Sequence, residues 1–192
     1  MSVRAARGRT AHRTGRVADG RELPLIAIES PLACGLEMAR RIFDAPIDLL
    51  GLWPGVERVT AAGDSGFCVV QRLELPFWGD LRQEFRARMR DRPRDRRQRY
   101  AIWQTDGWFF DRAVLWKLHA GKEGLMIDFC SQHAVSESRL EQAVNAYRSR
   151  TVWPMRHDAD AILQRLVISF VHDRLVELDR AYVNRIRDWL NA

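Results

Sequence analysis

The sequence predicts an α+β fold in which one antiparallel sheet packs against a long C-terminal helix. Apolar and polar residues alternate through most of residues 81–133, and this period of two is typical of strands with one buried face. Two short segments with helical spacing come before these strands. From His157 onward, apolar residues recur at steps of three and four almost to the C-terminus, which indicates an amphipathic helix. Strands and helices segregated along the chain in this way are typical of the α+β class.

The chain of 192 residues divides into three predicted regions. Residues 1–21 lack apolar periodicity and carry five arginines before their first acid, Asp19, so we expect a disordered basic arm. A transit peptide, which is also rich in arginine and poor in acids, is the alternative, although the segment lacks a clear amphipathic face. Residues 22–168 are long enough for one domain with its own core. Residues 169–192 are predicted to be a C-terminal helical extension.

The first predicted strand, Leu23–Glu29, leads into two short helices. Apolar residues at helical spacing predict the first helix over Leu36–Asp44. Pro46 cannot continue that helix, so it interrupts the chain and begins a second one. The turn Trp53-Pro54-Gly55 then ends the helical region, and the sheet resumes at Val56.

About six further strands are predicted, and the short turns between them are typical of hairpins that build an antiparallel sheet. Together with the first strand they make a sheet of about six to seven strands. The turn at residues 63–66 lacks the pattern of a phosphate-binding loop, so it does not indicate a nucleotide site. The predicted strands are Val56–Thr60, Phe67–Leu75, Leu81–Arg90, Arg99–Thr105, Ala113–His119 and Leu125–His133.

The pattern becomes helical after the last strand. Ser136 or Ser138 is suited to cap a helix that includes residues 140–147, and Pro154 kinks or restarts it. One or two amphipathic helices then run from His157 almost to the end, and an unbroken one would be about 50 Å long. A compact domain cannot cover that length. The last turns therefore pack back on the body or meet another subunit, and a homodimer through this helix is the simplest assembly.

Cysteine spacing and hydropathy exclude several classes of protein. The cysteines, Cys34, Cys68 and Cys130, form no CxxC motif or Cys/His cluster, so neither a disulfide framework nor a metal site is indicated. We expect no cofactor either. No segment approaches the roughly 18 apolar residues of a spanning helix, and the N-terminus has no apolar signal region. The simplest expectation is a cytoplasmic protein.

The net charge of +6 gives little information about partners. Of the 31 basic residues only Lys117 and Lys122 are lysines, and a GC-rich bacterial genome would produce such an arginine bias without selection for a partner. Arg82, Arg86 and other arginines form a row on the predicted outer face of the sheet, but acids such as Glu84 lie between them. Nucleic-acid binding is therefore not expected. Transient contact with an anionic membrane surface is the alternative role for this row.

The order of the elements resembles a known superfamily. This order, the segment Leu52–Val59 at the entry to the sheet, and the later segments Ala101–Trp103 and Ile127–Phe129 are similar to the START-like helix-grip (SRPBCC) superfamily. The closing strands look like those of its polyketide cyclase and coenzyme Q-binding branch. The resemblance covers residues 23–168. It implies a curved sheet wrapped around the C-terminal helix, with a cavity between them for a hydrophobic ligand, and it transfers no catalytic residue.

The phase of the strands predicts which residues line that cavity. If the apolar side of each strand faces inward, several uncharged polar groups share this side with aromatic and aliphatic groups, which suits an aromatic or quinone-like ligand. Alternatively, the polar groups lie near strand ends and are satisfied by backbone or water, and a bulge could also reverse the phase. The predicted ligand-binding residues are Phe43, Trp53, Phe67, Gln71, Gln83, Phe85, Tyr100, Ile102, Gln104, Trp116, Ile127 and Phe129.

Two functions are compatible with such a pocket. The first is binding or transport of a hydrophobic small molecule, such as a lipid, an isoprenoid quinone or a polyketide. The second is a polyketide cyclase or dehydratase that uses Tyr100 or His133 in proton transfer. The scarcity of charged groups on the pocket side favours the first, because proton transfer needs a titratable group poised near the working pH. His119 and Asp128 are expected on the outer side, with Asp128 paired to an arginine of a neighbouring strand.

Overall fold

The computed structural model describes residues 9–16, 22–64, 66–75, 79–91, 99–105, 110–122, 124–135, 141, 145 and 159–192. Three helices and eight strands have bounds within these ranges, and Glu141 and Asn145 are also helical. The helices are α1 (Leu36–Asp44), α2 (Pro46–Gly51) and α3 (Ala159–Asn191). The strands are β1 (Arg9–Arg16), β2 (Glu22–Leu32), β3 (Val56–Ala61), β4 (Gly66–Leu75), β5 (Gly79–Asp91), β6 (Arg99–Thr105), β7 (Phe110–Gly121) and β8 (Gly124–Val135).

The strands form a single antiparallel sheet in the order β1-β2-β8-β7-β6-β5-β4-β3. The predicted α+β class, with an antiparallel sheet and a C-terminal helix, is confirmed. The sheet has eight strands where six to seven were expected, because β1 pairs with β2 along its whole length. The prediction of a disordered arm is therefore wrong for Arg9–Arg16. An edge strand that is rich in charged residues has no apolar alternation by which a sequence could reveal it.

The buried side of the sheet follows the predicted phase. In β5, Gln83, Phe85 and Ala87 are buried, whereas Arg82 and Glu84 are exposed. The same alternation holds in the described parts of β2, β7 and β8, so these parts keep the predicted phase. One irregularity occurs at the edge, where the register between β3 and β4 shifts near Val56.

Helix α1 packs against α2 and α3, and α2 packs against β3. Helix α1 has the predicted bounds and buries Ala39, Ile42 and Phe43, which its spacing of three and four places on one side. Pro46 is the first residue of α2, a position where the missing N–H of proline costs nothing. Helix α1 therefore has its predicted bounds, and α2 begins at the predicted proline.

Helix α3 packs along the inner face as one continuous helix of 33 residues. Its core side chains include Val171, Leu175, Ile186 and Leu190. Residues 169–192, predicted as an extension, thus form the part of the helix that enters the core, and the predicted boundary at 168 falls inside the helix. Of the two alternatives, packing on the body is observed for these turns, while the homodimer stays a prediction. Most of the helix predicted at residues 140–147 lies outside the described residues.

The outer face of the sheet carries charges in cross-strand contacts. Arg72 of β4 forms a bidentate ion pair with Asp80 of β5, and Arg82 contacts Glu57 of β3 at 3.0 Å. Asp128 faces outward as predicted, but among the described side chains its partner is His119 and not an arginine. No helix in the described part of the chain is both long and apolar enough to cross a bilayer.

Candidate ligand-binding site

Four aromatic side chains from distant parts of the chain meet between the sheet and α3. Trp116 of β7 and Phe129 of β8 are opposite each other in the register, with ring centroids 5.9 Å apart. Tyr182 of α3 lies 5.4 Å from Phe129 and 5.2 Å from Trp53, and the two tryptophan rings are 6.3 Å apart. Tilted and edge-on contacts of this kind are favoured by the charge distribution of the rings. The cluster forms one wall of the interior.

Trp53 owes its position to the turn that follows α2. The N–H of Trp53 donates to Leu50 O at 3.2 Å, and Val56 N–H donates to Trp53 O at 3.1 Å. Gly55 has φ of 78°, and its carbonyl accepts the N–H of Arg72 at 2.8 Å. A Cβ at Gly55 would lie 1.9 Å from Arg72 O, so only glycine allows the turn to lie directly against β4.

The same turn anchors a chain of buried amides. Gln71 of β4 donates from Nε2 to the carbonyl of Pro54 at 2.8 Å. Gln83, opposite it on β5, donates from Nε2 to Gln71 Oε1 at 3.2 Å. The two predicted glutamines are thus on the inner face, and their donors bond to protein groups. This supports the alternative in which such groups are satisfied by the protein, at least for these amides.

The indole N–H of Trp116 is buried and has no acceptor among the described side chains and backbone groups. Its side chain is fully buried, and its Nε1 has no hydrogen-bond acceptor among the residues that the structure describes. A buried N–H that lacks an acceptor costs about 1–3 kcal/mol relative to one that is satisfied. Such a group on the wall of a binding site is suited to meet a ligand carbonyl or hydroxyl oxygen.

Ser131 and Asp179 form a buried hydrogen-bonded pair that the sequence pattern did not predict. Ser131 Oγ of β8 donates to Asp179 Oδ2 of α3 at 2.5 Å, and Asp179 is fully buried. Among the described residues, Asp179 is the buried side chain with a formal charge. The spacing could have revealed it, since Asp179 follows Leu175 by four residues and precedes Tyr182 by three, which places it on the apolar face of α3.

The remaining predicted residues fall into two groups, those with described side chains and those for which only the backbone is described. Phe43, Phe67, Phe85 and Ile127 are buried in the core. Tyr100, Ile102 and Gln104 are on β6, between the aromatic cluster and the glutamine pair, and Tyr100 is opposite Trp116 in the register. Their side chains, like that of His133, lie outside the described residues.

His133 is opposite Arg112, four residues along β7 from Trp116. The backbone positions of Tyr100 and His133 are therefore about 16 Å apart, at two strand spacings and four residue steps. The register does not bring them together as a pair.

The chain is similar to known proteins in structure, but no match is found in sequence. No protein-family model matches the chain, and no curated protein matches it in sequence. The di-domain ARO/CYC BexL from the BE-7585A biosynthetic pathway is similar with a TM-score of 0.54 and 10% identity, over 88% of this chain and 50% of its own. The di-domain ARO/CYC StfQ from the steffimycin biosynthetic pathway has a TM-score of 0.51 and 13% identity, over 87% and 51%. A protein from Thermus thermophilus has a TM-score of 0.51 and 14% identity, over 85% and 97%.

The chain has the helix-grip fold. The START-like helix-grip architecture predicted from the sequence is thereby confirmed, and its assignment to the polyketide cyclase or coenzyme Q-binding branch stays a prediction. In helix-grip terms, α3 is the gripped helix, and it brings Tyr182 and Asp179 to the inner face of the sheet. The site therefore combines an aromatic wall, a pair of amides, one buried carboxyl group and one indole donor.

Proposed function

We propose that this helix-grip protein binds a hydrophobic, oxygen-bearing small molecule between the sheet and α3. The aromatic wall of Trp53, Trp116, Phe129 and Tyr182 supplies flat apolar surface for a ring system. The likeness to two ARO/CYC structures supports a polyketide-like ligand, and an isoprenoid quinone has the same combination of ring and carbonyl groups. Lipids belong to the same proposal as a less polar class.

The observation that carries this proposal is the buried indole N–H of Trp116. An apolar ligand alone would leave this donor unpaired, whereas a ligand carbonyl would satisfy it within a dry site. Binding pockets are mostly apolar with a few placed polar groups that fix orientation, and Trp116 is suited to be such a group. The proposal therefore predicts a preference for ligands with a carbonyl oxygen.

The experiment compares two probes that differ in their carbonyls, 2-methyl-1,4-naphthoquinone and 2-methylnaphthalene. Both are titrated into the wild type and into Trp116→Phe, which keeps an aromatic ring but removes the N–H. Loss of one hydrogen bond is worth about 0.5–1.5 kcal/mol, so we expect the quinone to bind the variant about two- to tenfold more weakly. The affinity for 2-methylnaphthalene should be unchanged, measured by calorimetry.

The matched control is Trp189→Phe, a half-buried tryptophan of α3 that does not belong to the four-residue aromatic wall. This control should bind both probes as the wild type does. Failure of the wild type to bind either probe, together with a protein free of lipid by native mass spectrometry after purification, would refute the proposed function.

A cyclase or dehydratase is the second candidate, favoured by the same two ARO/CYC likenesses. Because the register separates Tyr100 from His133, each would act alone in proton transfer. The test is to assay the wild type, Tyr100→Phe and His133→Gln with a linear precursor of an aromatic polyketide. Absence of turnover in the wild type leaves ligand binding as the function, whereas turnover unaffected by both substitutions excludes Tyr100 and His133 as the groups that transfer the proton.

A further inference from the structure

Three potential metal ligands meet on the outer face of the sheet, on the opposite side from the aromatic wall. Glu29 of β2, His119 of β7 and Asp128 of β8 come from three neighbouring strands. One ligand atom from each lies within 4.8 Å of the others. All three residues are partly buried, and the proposed pocket uses none of them.

The strand register places two carboxyl groups in direct opposition. Glu29 is the partner of Asp128 across the β2–β8 ladder, so their side chains share a face and lie close together. Like charges directly opposite each other destabilise a sheet. Their side chains keep 44% and 31% of their exposure, which is less than that of freely solvated acids. A positive charge between them would remove this penalty.

His119 turns one ring nitrogen toward both carboxylates. Its Nε2 lies 2.9 Å from Asp128 Oδ1 and 3.8 Å from Glu29 Oε1. Its Nδ1 lies 3.2 Å from the carbonyl of Ala120, which can only accept, so Nδ1 carries a proton in this contact. In the neutral ring, Nε2 therefore directs a lone pair toward the carboxylates.

A proton on Nε2 would satisfy only part of this arrangement. It could bond to Asp128, but 3.8 Å is too long for a hydrogen bond to Glu29. A metal ion has several coordination positions and can take an oxygen from each acid together with the imidazole nitrogen. Imidazole and carboxylate are ligands of zinc and related ions, and sites with three protein ligands keep a position open for water.

We propose that Glu29, His119 and Asp128 bind a divalent first-row transition-metal ion, for which Zn²⁺ is the probe. The Ala120 carbonyl holds the ring of His119 in the tautomer that presents Nε2, as backbone carbonyls do for many ligating histidines. The ion links β2, β7 and β8 on their outer face. This site is independent of ligand binding in the interior.

Two basic residues oppose the carboxylates in the register and give the proposal a directional test. Lys117 is opposite Asp128, and Arg9 is opposite Glu29. A nearby ammonium group repels a cation. Replacing Lys117 with glutamine should therefore tighten Zn²⁺ binding, which a role of these acids in ordinary surface ion pairs would not predict.

The experiment titrates Zn²⁺ into full-length protein stripped with a chelator, by calorimetry. We expect His119→Ala, Glu29→Gln and Asp128→Asn each to weaken binding by at least about tenfold. Glu37→Gln, an exposed acid of α1, is the matched control and should bind as the wild type does. Co²⁺ added to the wild type should give a visible absorption band that His119→Ala lacks.

Equal Zn²⁺ affinity of the wild type and His119→Ala would overturn the proposal, because the remaining histidines would then account for the binding. So would a wild type that binds no Zn²⁺. Circular dichroism checks the fold of each variant, and the two amide variants keep the shape of the acids if His119→Ala does not fold. Zn²⁺ should also raise the melting temperature of the wild type and leave that of His119→Ala unchanged.

Discussion

At the scale of single residues, the contact between Ser131 and Asp179 joins β8 to the gripped helix. Ser131→Ala removes the donor and leaves the buried carboxyl group with one hydrogen bond fewer. We expect this to lower the free energy of unfolding by about 1–3 kcal/mol, because a buried acceptor that loses its partner keeps its desolvation cost. Denaturation in urea measures it.

The double variant Ser131→Ala/Asp179→Leu separates two contributions to the loss of stability, that of a buried polar group without its hydrogen bond and that of lost packing. Replacing both partners by apolar groups can be nearly neutral, so the double variant should be more stable than Ser131→Ala alone. If it is less stable, the carboxyl group of Asp179 makes a net contribution to stability through interactions other than the one with Ser131. If instead it is stable but loses affinity for the quinone probe, Asp179 serves binding.

Tyr182 shows how one side chain can serve two elements. Its ring completes the aromatic wall, and its hydroxyl donates to Leu49 O at 3.0 Å. Leu49 is in the last turn of α2, where carbonyls lack partners within the helix. The gripped helix therefore caps the short helix while it packs against the sheet, which fixes the position of the Trp53 turn that follows.

At the scale of elements, the β4–β5 hairpin carries an ion pair with a defined pH dependence. The guanidinium of Arg72 lowers the pKa of Asp80 below its ordinary value, chiefly through their hydrogen bonds. A lowered pKa in the folded state means that the pair stabilises the fold above the ordinary pKa of the carboxyl group. This contribution is lost as pH falls through the lowered value.

Asp80→Asn should therefore lower the melting temperature slightly at pH 7, and the difference from the wild type should vanish in strong acid. The effect is small because both side chains are exposed. Asp44→Asn is the control, since no ion pair of Asp44 is found in the described ranges. A difference that persists unchanged at low pH would show that Asp80 acts through its shape and not its charge.

At the scale of the whole molecule, the sequence predicted the structural features that depend on local periodicity. The bounds of α1 and the inward phase of Gln83 and Phe85 follow from spacings of three, four and two residues. The strand β1 could not be predicted, because its stability comes from backbone pairing with β2 and leaves no pattern of apolar side chains. The group of Glu29, His119 and Asp128 depends on register between residues far apart in the chain, which periodicity does not specify.

Exposed apolar residues near the start of α3 offer a contact face for the predicted homodimer. Here Val167 and Val171 are buried, whereas Leu166 and Phe170 keep 46% and 51% of their exposure and lie one turn apart on one side of the helix. Exposed apolar residues at this spacing are typical of a helix face that meets another helix. A dimer through α3 would cover them, and light scattering after size-exclusion chromatography should then give twice the chain mass of 22.3 kDa.

The variant Leu166→Glu/Phe170→Glu tests which face forms the dimer. It should run at the mass of one chain and keep its fold, because the buried valines remain in place and the new charges point to solvent. Leu36→Glu, an equally exposed apolar residue at the start of α1, should leave the dimer intact. A wild type that runs as one chain at every concentration would contradict the dimer. The exposed residues of α3 would then be surface of the monomer, as single exposed apolar side chains often are.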